Sequence, residues 1–117
     1  MFTICSCRNA NIKGELNYIN LNDEIIVNVS CDDLKKNYST NKIQLTNNEE
    51  EDLIRLFKSL KTAGKNWNID ARLFGFIYDD EKKINFCMGN NIIVINEKLY
   101  FVDDNLRKYI VKLTTNR

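Results

Sequence analysis

The chain has 117 residues, which suits one domain able to bury a core without metal or disulfide staples. Hydrophobic residues make up 44% and charged residues 28%, a balance too apolar for a disordered chain. Seventeen basic against sixteen acidic side chains give a net charge of +1, without the basic excess by which a dedicated nucleic-acid binder neutralises phosphates.

In chain order, Phe2–Arg8 is a short apolar run of strand character. Ile12–Ile19 and Glu24–Cys31 follow as two β-rich runs, and the turn chemistry of Asn20-Leu21-Asn22-Asp23 between them predicts a hairpin. In the second run Ile25, Val27, Val29 and Cys31 fall on one face, the alternation of a half-buried strand. Asp32–Asn41 is polar and predicts a loop, and Lys42–Thr46 a short strand. A helix is expected over about residues 48–62. Asn47 or Asn48 is placed to cap it, and Glu49, Glu50, Glu51 and Asp52 fill the first turn, where carboxylates complement the dipole. Leu53, Leu56, Phe57 and Leu60 form its apolar stripe, and Gly64 stops it.

Four strands are predicted next: Ala71–Tyr78, Lys83–Met88, Ile92–Ile95 and Leu99–Val102. Turns at Asp79–Lys82, Gly89–Asn91 and Asn96–Lys98 separate them, as in an antiparallel meander. Ala71–Tyr78 is largely apolar on both faces, with Phe74, Phe76 and Tyr78 on one side and Leu73, Gly75 and Ile77 on the other, as expected of a central strand. Asp103-Asp104 caps a final helix with the stripe Leu106, Tyr109, Ile110 and Leu113. The expected fold is therefore a single α+β domain over residues 1–117: a mainly antiparallel sheet, hairpins and then a four-strand meander, with two helices packed on it.

With no histidine in the chain, Ser-His-Asp and Cys-His catalysis and histidine-containing zinc sites are excluded. The four glycines, Gly14, Gly64, Gly75 and Gly89, form no phosphate-binding loop. Cys5, Cys7, Cys31 and Cys87 do not make the paired knuckles of a zinc site. Hence no catalytic residue, metal or cofactor is expected, and the chain does not read as an enzyme. No stretch approaches the roughly 20 apolar residues of a membrane span. Met1–Ala10 lacks the basic n-region and long h-region of a signal peptide. The expected setting is cytoplasmic, with the cysteines as reduced thiols. In an oxidising compartment, Cys31 or Cys87 would be the one to meet Cys5 or Cys7 across a sheet.

What remains suits protein recognition. The acidic helix start (Glu49, Glu50, Asp52), the acidic turn (Asp79, Asp80, Glu81) and Trp67, a residue type favoured at interface hot spots, are the candidate partner-binding residues. In size, charge clumping and α+β order, from Asn68-Ile69-Asp70 through the meander to the final helix, the chain resembles the small immunity proteins of bacterial toxin–immunity systems. That resemblance implies a protein partner, a cognate toxin whose active site is occluded. The alternative is a phage or mobile-element accessory protein acting on nucleic acid, with Lys35, Lys36, Lys42, Lys58, Lys61 and Lys65 converging. A small enzyme of unknown class comes third.

Overall fold

Period-two alternation and two amphipathic stripes organise the chain into β1 (Glu15–Tyr18), α1 (Cys31–Asn37), β2 (Asn41–Gln44), α2 (Asn47–Lys58), β3 (Leu73–Asp79), β4 (Lys82–Met88), β5 (Ile92–Ile95), β6 (Lys98–Phe101) and α3 (Asp104–Thr115). This computed structural model describes residues 13–19, 29–65 and 67–115. The predicted strand Phe2–Arg8, the predicted turn Asn20–Asp23, residues 24–28 of the predicted strand Glu24–Cys31, and Cys5 and Cys7 lie outside the described residues.

The strands form one antiparallel sheet in the order β2-β1-β3-β4-β5-β6. The predicted meander is its larger part, β3 to β6 in sequence order. β1 pairs antiparallel with both β2 and β3, so the β2–α2–β3 connection crosses over β1 and leaves β2 and β3 parallel to each other. β3 is a central strand, as its two apolar faces require. Leu16, Leu73, Ile77, Phe86, Met88 and Ile93 turn to one face and meet Leu53 and Phe57 of α2 and Leu106 and Ile110 of α3 in the main core. Phe74 and Cys87 turn to the other face, where Leu34 of α1 joins them with Val29 and Ala71 in a smaller cluster.

Among the described residues three helices stand where two were expected. The segment predicted as the loop Asp32–Asn41 contains α1, and Cys31 opens that helix rather than ending a strand. Polar groups mark its two ends. The Ser30 hydroxyl accepts from the Asp33 N–H at 3.1 Å, Asp32 and Asp33 occupy the first turn, and Lys35 and Lys36 the last. Only Leu34 is buried, so no apolar period betrays the helix.

The expected limits of α2 also change. Thr46, not Asn47 or Asn48, is its cap: the hydroxyl accepts from the Glu49 N–H at 3.1 Å, and the Glu49 carboxylate accepts from the Thr46 N–H at 2.9 Å. The helix ends at Lys58, short of Gly64. Beyond it the chain extends along β6, where the Phe101 N–H donates to Lys61 O and the Ala63 N–H to Leu99 O, each at 2.9 Å. These bonds occupy donors and acceptors that an edge strand would otherwise expose.

The expectation of reduced thiols fails at one pair. Cys31 and Cys87 form a disulfide across 56 positions, with their Cα atoms 6.2 Å apart. The reason is α1: its first residue lies over the outer face of β4, to which Cys87 points. Closing a loop of this length removes chain entropy worth about 4 kcal/mol from the unfolded state.

A second tie runs through Glu50, which is 1% exposed. Its carboxylate accepts from the Gly14 N–H at 2.7 Å and from the Tyr78 N–H at 3.1 Å, holding the first turn of α2 to β3 and to the residue just before β1. Position 14 has room only for glycine, since a Cβ there would lie 2.9 Å from Phe76 O and 3.1 Å from the Glu50 carboxyl carbon.

Glu50→Ala leaves both N–H groups buried without this acceptor. The expected loss is about 3 kcal/mol in urea unfolding, with Glu50→Gln between it and the native chain. A loss under roughly 0.5 kcal/mol would show that water replaces the carboxylate freely. The β5–β6 turn offers a change of opposite sign. Asn96 and Glu97 have φ of 47° and 72°, a pair of left-handed residues that Asn tolerates and Glu does not. Glu97→Gly should therefore stabilise by roughly 0.5–1 kcal/mol, read as a higher urea midpoint at unchanged slope.

Candidate functional site

The two acidic stretches singled out in the sequence come together at one end of the sheet. The grip of Glu50 on the Tyr78 N–H sets the start of α2 beside the end of β3, where the β3–β4 hairpin turns. Asp79 pairs in register with Lys82, and Asp80 and Glu81 make the exposed tip, Asp80 with φ of 56°. Glu51, on the exposed side of the first turn of α2, belongs to the same end.

The individual residues differ in what they offer. Glu50 points inward and is no part of the acidic surface. Its position could have been read from the sequence, because residues 50, 53, 57 and 60 fall on one helical stripe. Glu49 is engaged in the capping box. Asp52 forms an ion pair with Arg55 and accepts from the Tyr109 hydroxyl at 2.9 Å, tying α2 to α3. Asp79, Asp80, Glu81 and Glu51 carry the surface charge. Trp67 is 51% exposed but stands elsewhere. Its ring meets Phe101 edge-on at 5.3 Å, and Phe101 lies opposite Ile92, at the end of the meander away from the hairpin tip.

The lysines of the nucleic-acid alternative do not converge. Lys35 and Lys36 ride on α1, against one face of the sheet, whereas Lys58 ends α2 on the other, and Lys61 lies along β6. Lys42 sits 3.6 Å from Glu15, which offsets its charge. The carboxylate of Asp70 is committed to structure. It pairs with Arg72 at 2.6 Å and accepts from the Val29 N–H at 3.0 Å. Among the described residues no three Cys, Asp or Glu side chains are grouped closely enough to hold a metal ion.

A cavity of about 470 Å³ opens on the outer face of the sheet, between α1 and strands β4 and β5. The disulfide forms part of its wall, with Lys35, Asn85, Val94 and Glu97 around it. Nothing in the sequence announces this cavity, because it depends on α1 and on a pairing between distant positions.

The link between α2 and α3 has a measurable consequence. Burial raises the pKa of Tyr109 well above its ordinary value of 10, and the Asp52 acceptor and the negative charges of Asp52 and Glu49 raise it further. The folded chain thus keeps a proton that the unfolded chain gives up, so this contribution to stability is whole below about pH 10 and falls as the pH rises above it. In an ultraviolet titration of the folded protein a tyrosine step should appear above the ordinary range, and Tyr109→Phe should remove it. A titration curve from which Tyr109→Phe removes no late step would contradict the Tyr109–Asp52 geometry.

Compared with models of protein families, with curated proteins and with solved structures, the chain matches none.

Proposed function

We propose that the domain is a protein-binding module that acts as an immunity protein: it binds a cognate bacterial toxin and occludes the toxin's active site. The observation that carries this reading is the meeting of two acidic segments at one end of the sheet, Glu51 on α2 and Asp79, Asp80 and Glu81 at the β3–β4 tip, joined beneath the surface by Glu50. An exposed concentration of carboxylates on a rigid frame complements a basic groove such as a nuclease needs for its substrate, and it speeds encounter as well as selecting the partner. The wide separation of the lysines gives the nucleic-acid reading no comparable support.

Among the described residues no helix is long and apolar enough to cross a membrane. The proposal sets the protein in the cytoplasm, where a disulfide such as Cys31–Cys87 is transient and redox-responsive, whereas a persistent one belongs to an oxidising compartment. Trapping free thiols in intact cells before lysis distinguishes the two.

The direct test is co-purification with the product of the neighbouring gene, followed by stopped-flow association at several salt concentrations. A stable complex is expected. The charge-reversed chain Glu51→Lys, Asp80→Lys, Glu81→Lys should associate at least roughly tenfold more slowly at low salt, with the difference shrinking as salt rises. No complex with a toxic neighbour, or an association rate indifferent to salt and to the reversals, overturns the reading.

A further inference from the structure

The helix α1 is held differently from the rest of the fold. Asp32, Asp33, Lys35, Lys36 and Asn37 are exposed, Leu34 alone is buried, and no residue of α1 enters the core between the sheet and α2 and α3. Seven residues are too few for a helix to persist alone in water. Its place over the sheet therefore rests on Leu34, on the Lys35 ammonium 5.7 Å from the Phe74 ring, on the one backbone bond and the Asp70 contact of the preceding Val29, and on the covalent bond from Cys31 to Cys87. Cys87 is 5% exposed, whereas Cys31 is only partly buried, and both line the outer-face cavity. The cavity gives an incoming sulfur a route to this bond from solvent.

We propose that the Cys31–Cys87 bond is a redox latch, opened by a dithiol reductant, that releases α1 from the outer face of the sheet while the sheet with α2 and α3 stays folded. A thiolate of the dithiol enters the cavity and attacks Sγ of Cys31. The S–S bond breaks, and Cys87 leaves as a thiolate and takes up a proton. The second thiolate of the dithiol then closes on the first sulfur and expels Cys31, which is protonated in turn. The dithiol ends as a cyclic disulfide, and the protein gains two electrons and two protons as two thiols. Lys35 lies one helical turn after Cys31 and lines the same cavity, so its ammonium favours the departing Cys31 thiolate. Release of α1 uncovers the patch around Ala71, Phe74 and Cys87 that Leu34 closes. Two separate apolar clusters make such a sub-global opening physically reasonable, because the larger one loses none of its members. The latch lies apart from the acidic end and does not depend on what binds there.

The test uses the full chain with Cys5→Ser and Cys7→Ser, so that only the latch pair reports, compared with and without dithiothreitol by alkylation mass spectrometry and hydrogen exchange. The expected result is alkylation of Cys31 and Cys87 under native conditions, with exchange over residues 30–38 accelerated at least tenfold and protection of α2, α3, β3 and β4 retained. Adding Cys31→Ala and Cys87→Ala should give the same exchange pattern without any dithiol. The proposal is overturned if the bond yields only in denaturant. It is overturned equally if residues 30–38 keep their protection after reduction, or if β3, β4 and α2 lose theirs together with α1.

Discussion

A buried carboxylate sets the geometry on which the rest depends. Taking the charge of Glu50 out of water costs several kcal/mol unless strong donors compensate it. Here the donors are backbone N–H groups from two places, Gly14 before β1 and Tyr78 in β3. Since β1 and β3 are neighbours in the sheet, one side chain fixes the start of α2 over their junction. Phe57, two turns further along α2, then meets Phe86 edge-on with ring centroids 5.2 Å apart. Asp52, on the same helix, accepts from Tyr109 and so brings in α3. The acidic end of the molecule follows from the same contact, because the residues flanking Glu50 are carried to the hairpin tip whether or not they touch anything there.

The parts of this architecture that were legible are those whose signal is periodic. Leu53, Leu56, Phe57 and Leu60 announce α2, Leu106 to Leu113 announce α3, and the alternating runs with their turns announce β3 to β6. α1 was illegible because a seven-residue helix with one buried side chain has no period to display, although Ser30 and the charges of its two ends were a capping signal. The disulfide was illegible for a different reason. Cys31 and Cys87 are brought together by tertiary structure, and no spacing rule relates positions 56 residues apart. Glu50 is the instructive case at the candidate site. Residue type made it an acidic surface residue, while its place on the stripe of Leu53 and Phe57 made it a core residue, and position prevailed because two N–H groups were there to receive it.

The sheet has two faces with different duties. The face under α2 and α3 is closed by apolar packing, with the Tyr18 hydroxyl donating to Thr114 O at 3.3 Å where the end of α3 passes. The face under α1 is joined by fewer apolar contacts, one covalent bond and the Asp70–Arg72 pair, which braces the backbone at Val29. Strength on the first face lets the second be lightly built. An enclosing helix that contributes one buried side chain adds little to overall stability, yet it determines whether the cavity beside it has a wall.

The aromatic row of β3 bears on the choice between a protein and a nucleic acid as partner. Phe74, Phe76 and Tyr78 lie on the outer face, and strand aromatics in that position are what base stacking uses. In this chain the rings are already engaged with one another and with cations of the chain itself. Lys83 stands 4.3 Å from the centroid of Phe76, Lys35 5.7 Å from that of Phe74, and Phe76 meets Tyr78 edge-on at 5.8 Å. A stacking base would have to displace an ammonium from a ring face, giving up a cation–π contact worth about 0.5–1 kcal/mol at an exposed site. It would do so beside a chain whose net charge of +1 supplies little general attraction to phosphate. The carboxylates at the hairpin tip need no such rearrangement to meet a basic surface, which is why the proposed partner is placed at the acidic end and not on the aromatic row.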